Sequence, residues 1–204
     1  SLPLGGTNVF RTVEELAAEV AKSPEKEPAD CETLFARKEP FPGLKNLDVS
    51  LCSVVTILTL GLEVMFETLT TLDLRGNDLT KIEGLDGLVN LTSLSLCRNR
   101  VKFVETHTFA GLPKLTSLKM EENGLRSLVH FDTLPTLKTL WLGGNRVVDA
   151  SELEKLASLP DLVELQLQGN PLARKQVYRP MTLRHCEALQ TLDQRLVTAH
   201  EREH

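Results

Sequence analysis

One short pattern, L-x-x-L-x-L-x-x-N-x-L, returns along the middle of this 204-residue chain and limits its fold more than any other feature. It stands as LTTLDLRGNDL (69–79), LTSLSLCRNRV (91–101), LTSLKMEENGL (115–125), LKTLWLGGNRV (137–147) and LVELQLQGNPL (162–172). An earlier copy, LKNLDVSLCSV (44–54), carries Cys52 where the others have asparagine. That ladder position falls at 52, 77, 99, 123, 145 and 170, so the steps are 25, 22, 24, 22 and 25 residues. A period in this range marks a chain of stacked units, each too small to bury its own leucines.

The x-L-x-L-x segment alternates, which puts its leucines on one side of a short strand and the intervening residues on the other. Stacking the units then pairs the strands in parallel along one face. Asn77, Asn99, Asn123, Asn145 and Asn170 turn inward where each strand ends, and their amides satisfy backbone groups that would otherwise be buried unpaired. Cys52 can fill the same slot as a weaker partner.

The second half of each unit has another period. After Asn77 come Leu79, Ile82, Leu85 and Leu88, and after Asn123 come Leu125, Leu128, Phe131 and Leu134. Three-residue spacing suits 3₁₀ turns, which bring residues i and i+3 onto one side. The segment DASELEKLASLP is longer, with Asp149 at an N-cap position and Glu152 three residues on, and predicts a regular helix.

The 22-residue unit resembles the intracellular leucine-rich repeats of a regulatory subunit of protein phosphatase type one. Similar repeats occur in the A-prime protein of a spliceosomal ribonucleoprotein, an axonemal dynein light chain and centrosomal proteins. The resemblance covers residues 44–195. It implies an α/β fold: a right-handed leucine-rich-repeat solenoid with a parallel sheet on the concave face and 3₁₀ turns and short helices on the convex face. The stretch 169–193, GNPLARKQVYRPMTLRHCEALQTLD, resembles the family's C-terminal cap. By that match Tyr178, Leu183, Leu189 and Leu192 close the end of the stack. Pro180 and Cys186-Glu187 depart from the family's usual sequence, and Pro180 requires the cap helix to begin close to Tyr178, since proline fits only a first turn.

Three regions result: an N-terminal helical cap and connector (1–43), six repeats (44–175), and a C-terminal cap with a polar tail (176–204). In the first, TVEELAAEVAKS (12–23) has capping-box spacing at Thr12 and Glu15 and an apolar set at Val13, Leu16, Ala17 and Val20, which predicts an amphipathic helix. PEKEPAD (24–30) is a polar connector.

Composition narrows the function classes. With 41% hydrophobic and 25% charged residues the chain should fold, and a formal net charge of −5 gives no general basic field for nucleic acid. No apolar run is long enough to span a membrane. The opening SLPLGGTNVF reads as an excised start rather than a signal peptide, and four scattered cysteines fit reduced thiols in cytoplasm or nucleus. The sequon at 90–92 is read as chance on the same ground.

No P-loop or dinucleotide fingerprint is present. The final HEREH (200–204) fits the H-E-x-x-H zinc pattern, with Glu201 as a base between His200 and His204. It lacks a third ligand and a shaped cavity, so it reads as a solvated tail; a zinc hydrolase is the remote alternative. We expect no enzyme activity, metal or cofactor. The cations Arg174, Lys175, Arg179, Arg184 and Arg195 make the cap locally basic.

The outward strand positions carry the functional expectation. The fifth-position column is Asp48, Asp73, Ser95, Lys119, Trp141, Gln166, and the seventh is Ser50, Arg75, Cys97, Glu121, Gly143, Gln168. Trp141, the chain's one tryptophan, must face outward if Leu140 and Leu142 face in. Exposed tryptophans are enriched at binding hot spots. The expected function is a protein-interaction adaptor, a monomer on its own, that holds another protein on its concave face. The contact residues are Trp141, Lys119, Glu121, Gly143, Gln166, Gln168, Arg75 and Asp73, with Gly143 leaving room for an inserted side chain. The alternative is a ribonucleoprotein adaptor that holds an RNA-binding subunit. Direct nucleic-acid or membrane contact is not expected. A local contact of Lys119 with the Trp141 ring is the bland account of the same residue.

Overall fold

The computed structural model describes residues 9–10, 45–60, 62 and 67–202. The helix expected over 12–23 and the connector over 24–30 lie outside them. Among the described residues nine strands stand side by side in chain order: β1 (Val9–Phe10), β2 (Asn46–Asp48), β3 (Thr71–Asp73), β4 (Ser93–Ser95), β5 (Ser117–Lys119), β6 (Thr139–Trp141), β7 (Glu164–Gln166), β8 (Thr191–Leu192) and β9 (Arg195–Leu196). β1 to β8 pair in parallel, and β9 turns back antiparallel on β8. No helix among the described residues is long and apolar enough to cross a membrane.

The register is that of the repeat. Leu47, Leu72, Leu94, Leu118, Leu140, Leu165 and Leu192 are successive pairing partners, and all are buried. Behind them, Val49, Leu74, Leu96, Met120, Leu142 and Leu167 form a second buried row. The three-residue series of the convex half closes the core, with Phe109 and Phe131 stacked at 5.8 Å between centroids.

The asparagines tie one unit to the last. Asn145 Nδ2 donates to Met120 O at 2.9 Å and Leu142 O at 2.9 Å, while its Oδ1 accepts from Leu125 N. Asn77, Asn99, Asn123 and Asn170 repeat the arrangement. At the first ladder position the Cys52 thiol donates to Ser50 O at 3.3 Å, as its weaker hydrogen-bonding chemistry allows.

Reaching the asparagine requires a sharp turn, and the residue before it is left-handed in every unit: Leu51, Gly76, Arg98, Glu122, Gly144 and Gly169 have φ of 53–80°. Glycine adopts this conformation without steric cost, whereas Leu51, Arg98 and Glu122 hold it against their Cβ atoms.

The segment after Asn145 corrects an expectation. Ala150–Ser158 is a 3₁₀ helix, and Asp149 makes no side-chain cap bond. The core-facing series Leu153, Leu156 and Leu159 keeps a three-residue period, which an α-helix would spread around its circumference. Glu152 serves the neighbouring unit instead, accepting from Ser127 Oγ and Leu128 N at 2.7 Å each and pairing with Lys155 at 2.6 Å. Burial pushes its carboxyl up, but these hydrogen bonds outweigh it and hold the group below its ordinary range.

At the C-terminal end, helix α1 (Tyr178–His185) begins at Tyr178, so Pro180 falls in its first turn. Tyr178, Leu183, Cys186, Leu189 and Leu192 are buried against the last repeat. Burial pushes the Cys186 thiol up to about 11. Asp193 closes the last strand: its Oδ1 accepts from Leu167 N, whose counterparts in earlier units bond to the next strand's carbonyl, and from Gln168 N, and its Oδ2 accepts from the Tyr178 hydroxyl at 2.9 Å.

The final residues also differ from the solvated tail expected. In helix α2 (Ala199–Arg202), Glu201 pairs with Arg179 at 2.5 Å and accepts from Thr198 N and Oγ1, while Arg202 donates to Leu189 O. Arg179 is also bonded to Leu196 O, so it ties the α2 segment to the β8–β9 hairpin. Its side chain, with the Thr198 N–H, pulls the Glu201 carboxyl down to about 2.

Two predictions follow from this scaffold. Asn145→Ala strands buried backbone groups on two units and should cost at least about 2 kcal/mol in denaturant melts, whereas the half-buried Asn123→Ala should cost less. Because Glu201's folded value lies below its ordinary 4.5, its contribution is complete above that pH and is lost as pH falls towards 2. The melting difference between native protein and Glu201→Gln should therefore be constant near neutrality and vanish in that acid window.

Candidate functional site

The sheet's outward face bears the residues that alternate with the buried leucines. Pairing puts Asp48, Asp73, Ser95, Lys119, Trp141 and Gln166 in one row, strand by strand. Beside it, the third-position row is short over the middle units, with Thr71, Ser93, Ser117 and Thr139. Long side chains flanking short ones leave a hollow of about 380 Å³, lined by Thr71, Asp73, Arg75, Ser93, Ser95, Cys97, Arg98, Lys119, Glu121, Glu122 and Trp141.

Trp141 forms the C-terminal rim of this hollow. Its indole N–H donates to Glu164 Oε1 at 3.0 Å, and the Lys119 ammonium sits 3.8 Å from the centre of its ring. The ring is half-buried and fixed at both its edge and one face. Opposite, Arg75 pairs with Asp73 at 3.2 Å and Arg98 with Glu122 at 3.1 Å. Cys97 lies in the floor with its thiol 3.8 Å from Glu121 Oε2, and burial pushes that thiol up, away from reactivity. Lys119 and Glu121 are left as the lining charges that form no ion pair among the described residues, one of each sign and two positions apart.

Of the expected contact residues, Asp73, Arg75, Lys119, Glu121 and Trp141 share this hollow, while Gly143, Gln166 and Gln168 do not. Two details need correction. Gln166 is only 5% exposed, because its amide is drawn with the indole onto the same Glu164 oxygen. Gly143 leaves no vacant slot: a Cβ there would meet Glu121 Oε1 and Gln168 O at 3.3 Å each, so the glycine allows its neighbours to close in. Sequence reasoning missed Glu164, Cys97, Arg98 and Glu122. The third-position column, read beside the fifth, would have shown Glu164 next to Trp141 and the short hydroxyl residues that open the floor.

Among the described residues of the terminal HEREH, Glu201 is engaged rather than free to act as a base. Glu201 is bound to Arg179 and Thr198, Glu203 and His204 lie outside the described residues, and no group of three metal-ligating side chains occurs among those described.

A parallel sheet of repeating strands, an asparagine ladder and a convex side of single turns with short 3₁₀ helices define a leucine-rich-repeat solenoid; the units after Asn77, Asn99 and Asn123, where the leucine spacing predicted 3₁₀ turns, carry isolated turns instead. Two leucine-rich-repeat family models match the sequence, one over residues 67–125 and 89–147 and the other over 131–204, and the chain belongs to that family. It is 36% identical over 113 residues to human geranylgeranyl transferase type-2 subunit alpha, which covers 55% of this chain and 20% of that protein. It is 34% identical over 158 residues to leucine-rich repeat-containing protein 23 of Bos taurus, 66% of this chain and 46% of that one. The chain thus spans less than half the length of these relatives. Among solved structures, the Drosophila melanogaster SNF/U2A' complex matches with a TM-score of 0.55 at 24% identity, over 84% of this chain and 87% of that one. An internalin of Listeria monocytogenes matches with a TM-score of 0.60 at 20% identity, over 74% and 41%.

The register makes a local contrast testable. Leu140→Ala should cost about 2–5 kcal/mol of stability, because it empties a fully buried position. Trp141→Ala, one residue on, loses a ring contact and one hydrogen bond and should cost only about 1–2 kcal/mol. Paired melts check it, and a strand shifted by one residue would exchange the two results.

Proposed function

We propose that the chain is a protein-interaction adaptor without turnover, and that its partner docks on the concave face with Trp141 as the anchor. One observation carries this reading: a half-buried tryptophan, held by Lys119 and Glu164, stands at the rim of a side-chain-sized hollow on an otherwise polar sheet. Fixing an aromatic anchor before binding lowers the entropy cost of association. Lys119 and Glu121 then offer the partner one charge of each sign, which favours a mixed polar and apolar protein surface over a polyanion. The family supports the reading, as repeat solenoids present extended concave surfaces for binding. A cytoplasmic or nuclear monomer that meets its partner there is the form of the protein we propose. A ribonucleoprotein role rests on likeness of fold alone and is not advanced.

The test is affinity capture with native protein beside Trp141→Ala, followed by titration of whatever is lost from the variant. Truncating a buried interface tryptophan costs about 2 kcal/mol or more, so affinity should fall at least roughly thirtyfold. A folded Trp141→Ala variant that binds every captured protein at native strength contradicts the proposal.

A further inference from the structure

The strand-end turns carry a row of backbone donors. In each unit the N–H of the left-handed residue bonds to the next unit: Leu51 to Arg75 O, Gly76 to Cys97 O, Arg98 to Glu121 O, Glu122 to Gly143 O, and Gly144 to Gln168 O, all at 2.8–2.9 Å. Gly169 has the same conformation but no next acceptor, because the chain turns back at Asp193 into β9. Gly169 is exposed, its N–H has no partner among the described residues, and the residue lines a second hollow of about 450 Å³.

Three cations from two segments surround that donor. Arg174 ends the 3₁₀ turn Pro171–Arg174, Lys175 follows it, and Arg195 lies on β9. All three are exposed, and none forms an ion pair among the described residues. The other charges lining the hollow are engaged: Arg179 is held by Glu201, and Asp193 accepts three hydrogen bonds. Residues 171–202 hold six Lys and Arg against three Asp and Glu, in a chain whose net charge is −5.

We infer that this C-terminal hollow is an anion-binding site for the carboxylates of an acidic peptide segment, with the Gly169 N–H as a fixed donor and Arg174, Lys175 and Arg195 as its cations. A backbone N–H converging with guanidinium groups is suited to charge-assisted bonds with planar carboxylates. The hollow is sized for a few side chains, and three cations at one end of the solenoid are too few to track a long polyanion such as nucleic acid. The site stands apart from Trp141 and does not rest on the concave-face reading.

The probe is a fluorescently labelled hexaglutamate peptide, titrated by anisotropy at low salt, with amide spectra of the isotope-labelled chain recorded in parallel. Binding should saturate, weaken with salt, and shift the Gly169 and Arg195 amides. The Arg174→Gln/Lys175→Gln pair and Arg195→Gln should each weaken it about tenfold or more. Arg126→Gln, an exposed cation elsewhere, and Trp141→Ala should leave it unchanged, with melts confirming that every variant is folded. Equal binding by folded variants and native protein, an unmoved Gly169 amide, or tighter binding of an oligouridylate of equal charge would each overturn the inference.

Discussion

A short strand that ends against a core leaves peptide groups facing inward with no water to receive them. In this protein the asparagine at the end of the strand solves that problem unit by unit. Its Nδ2 bonds to carbonyls of its own unit and the preceding one, and its Oδ1 takes an N–H from the preceding unit's turn. The bonds cross the boundary between units, so no unit satisfies its own backbone. Stacking is therefore required by hydrogen bonding as well as by the leucines, which need neighbours above and below. The left-handed turn, the strand register and the outward rows all follow from that fixed inward amide. Beyond the last repeat, Asp193 accepts the Leu167 and Gln168 N–H groups at the end of β7 and ties that turn to the buried Tyr178.

Much of this was legible because its physics is periodic. Leucines at period two read directly as strand, those at period three read as a buried convex row built on turns, and the asparagine at one fixed place reads as a buried amide. What was missed depends on pairs of residues that are adjacent only after stacking. Glu152 sits three residues after Asp149, which suggested a capping box, yet the carboxylate reaches across to Ser127 and Leu128. Glu164 is remote from Trp141 in the chain and becomes its hydrogen-bond partner on the next strand. Glu201 looked like tail and is held by Arg179, twenty-two residues earlier. The left-handed position was obscured because only Gly76, Gly144 and Gly169 announce it, while Leu51, Arg98 and Glu122 hide it.

The candidate surface follows the same division. That Trp141 faces out was readable from Leu140 and Leu142, and its stacking with Lys119 follows from their pairing one strand apart. The position of the hollow was not readable from the longest side chains. It lies on the N-terminal side of Trp141, where Ser93 and Ser95 are short, rather than beside Gly143, whose space Glu121 and Gln168 already use. A contact surface here is set by what neighbouring strands leave unfilled, and small residues mark it better than large ones.

Because the chain holds a single tryptophan, the indole N–H of isotope-labelled protein gives one isolated signal for the centre of the concave face. Titrating that protein with an unlabelled captured partner is the most direct test of the account. The indole signal should shift and saturate at the stoichiometric point, together with the amides of Ser95, Lys119 and Glu121. An indole signal that stays in place while amides of the convex side, such as those of Phe109 and Leu153, move with the partner would contradict it.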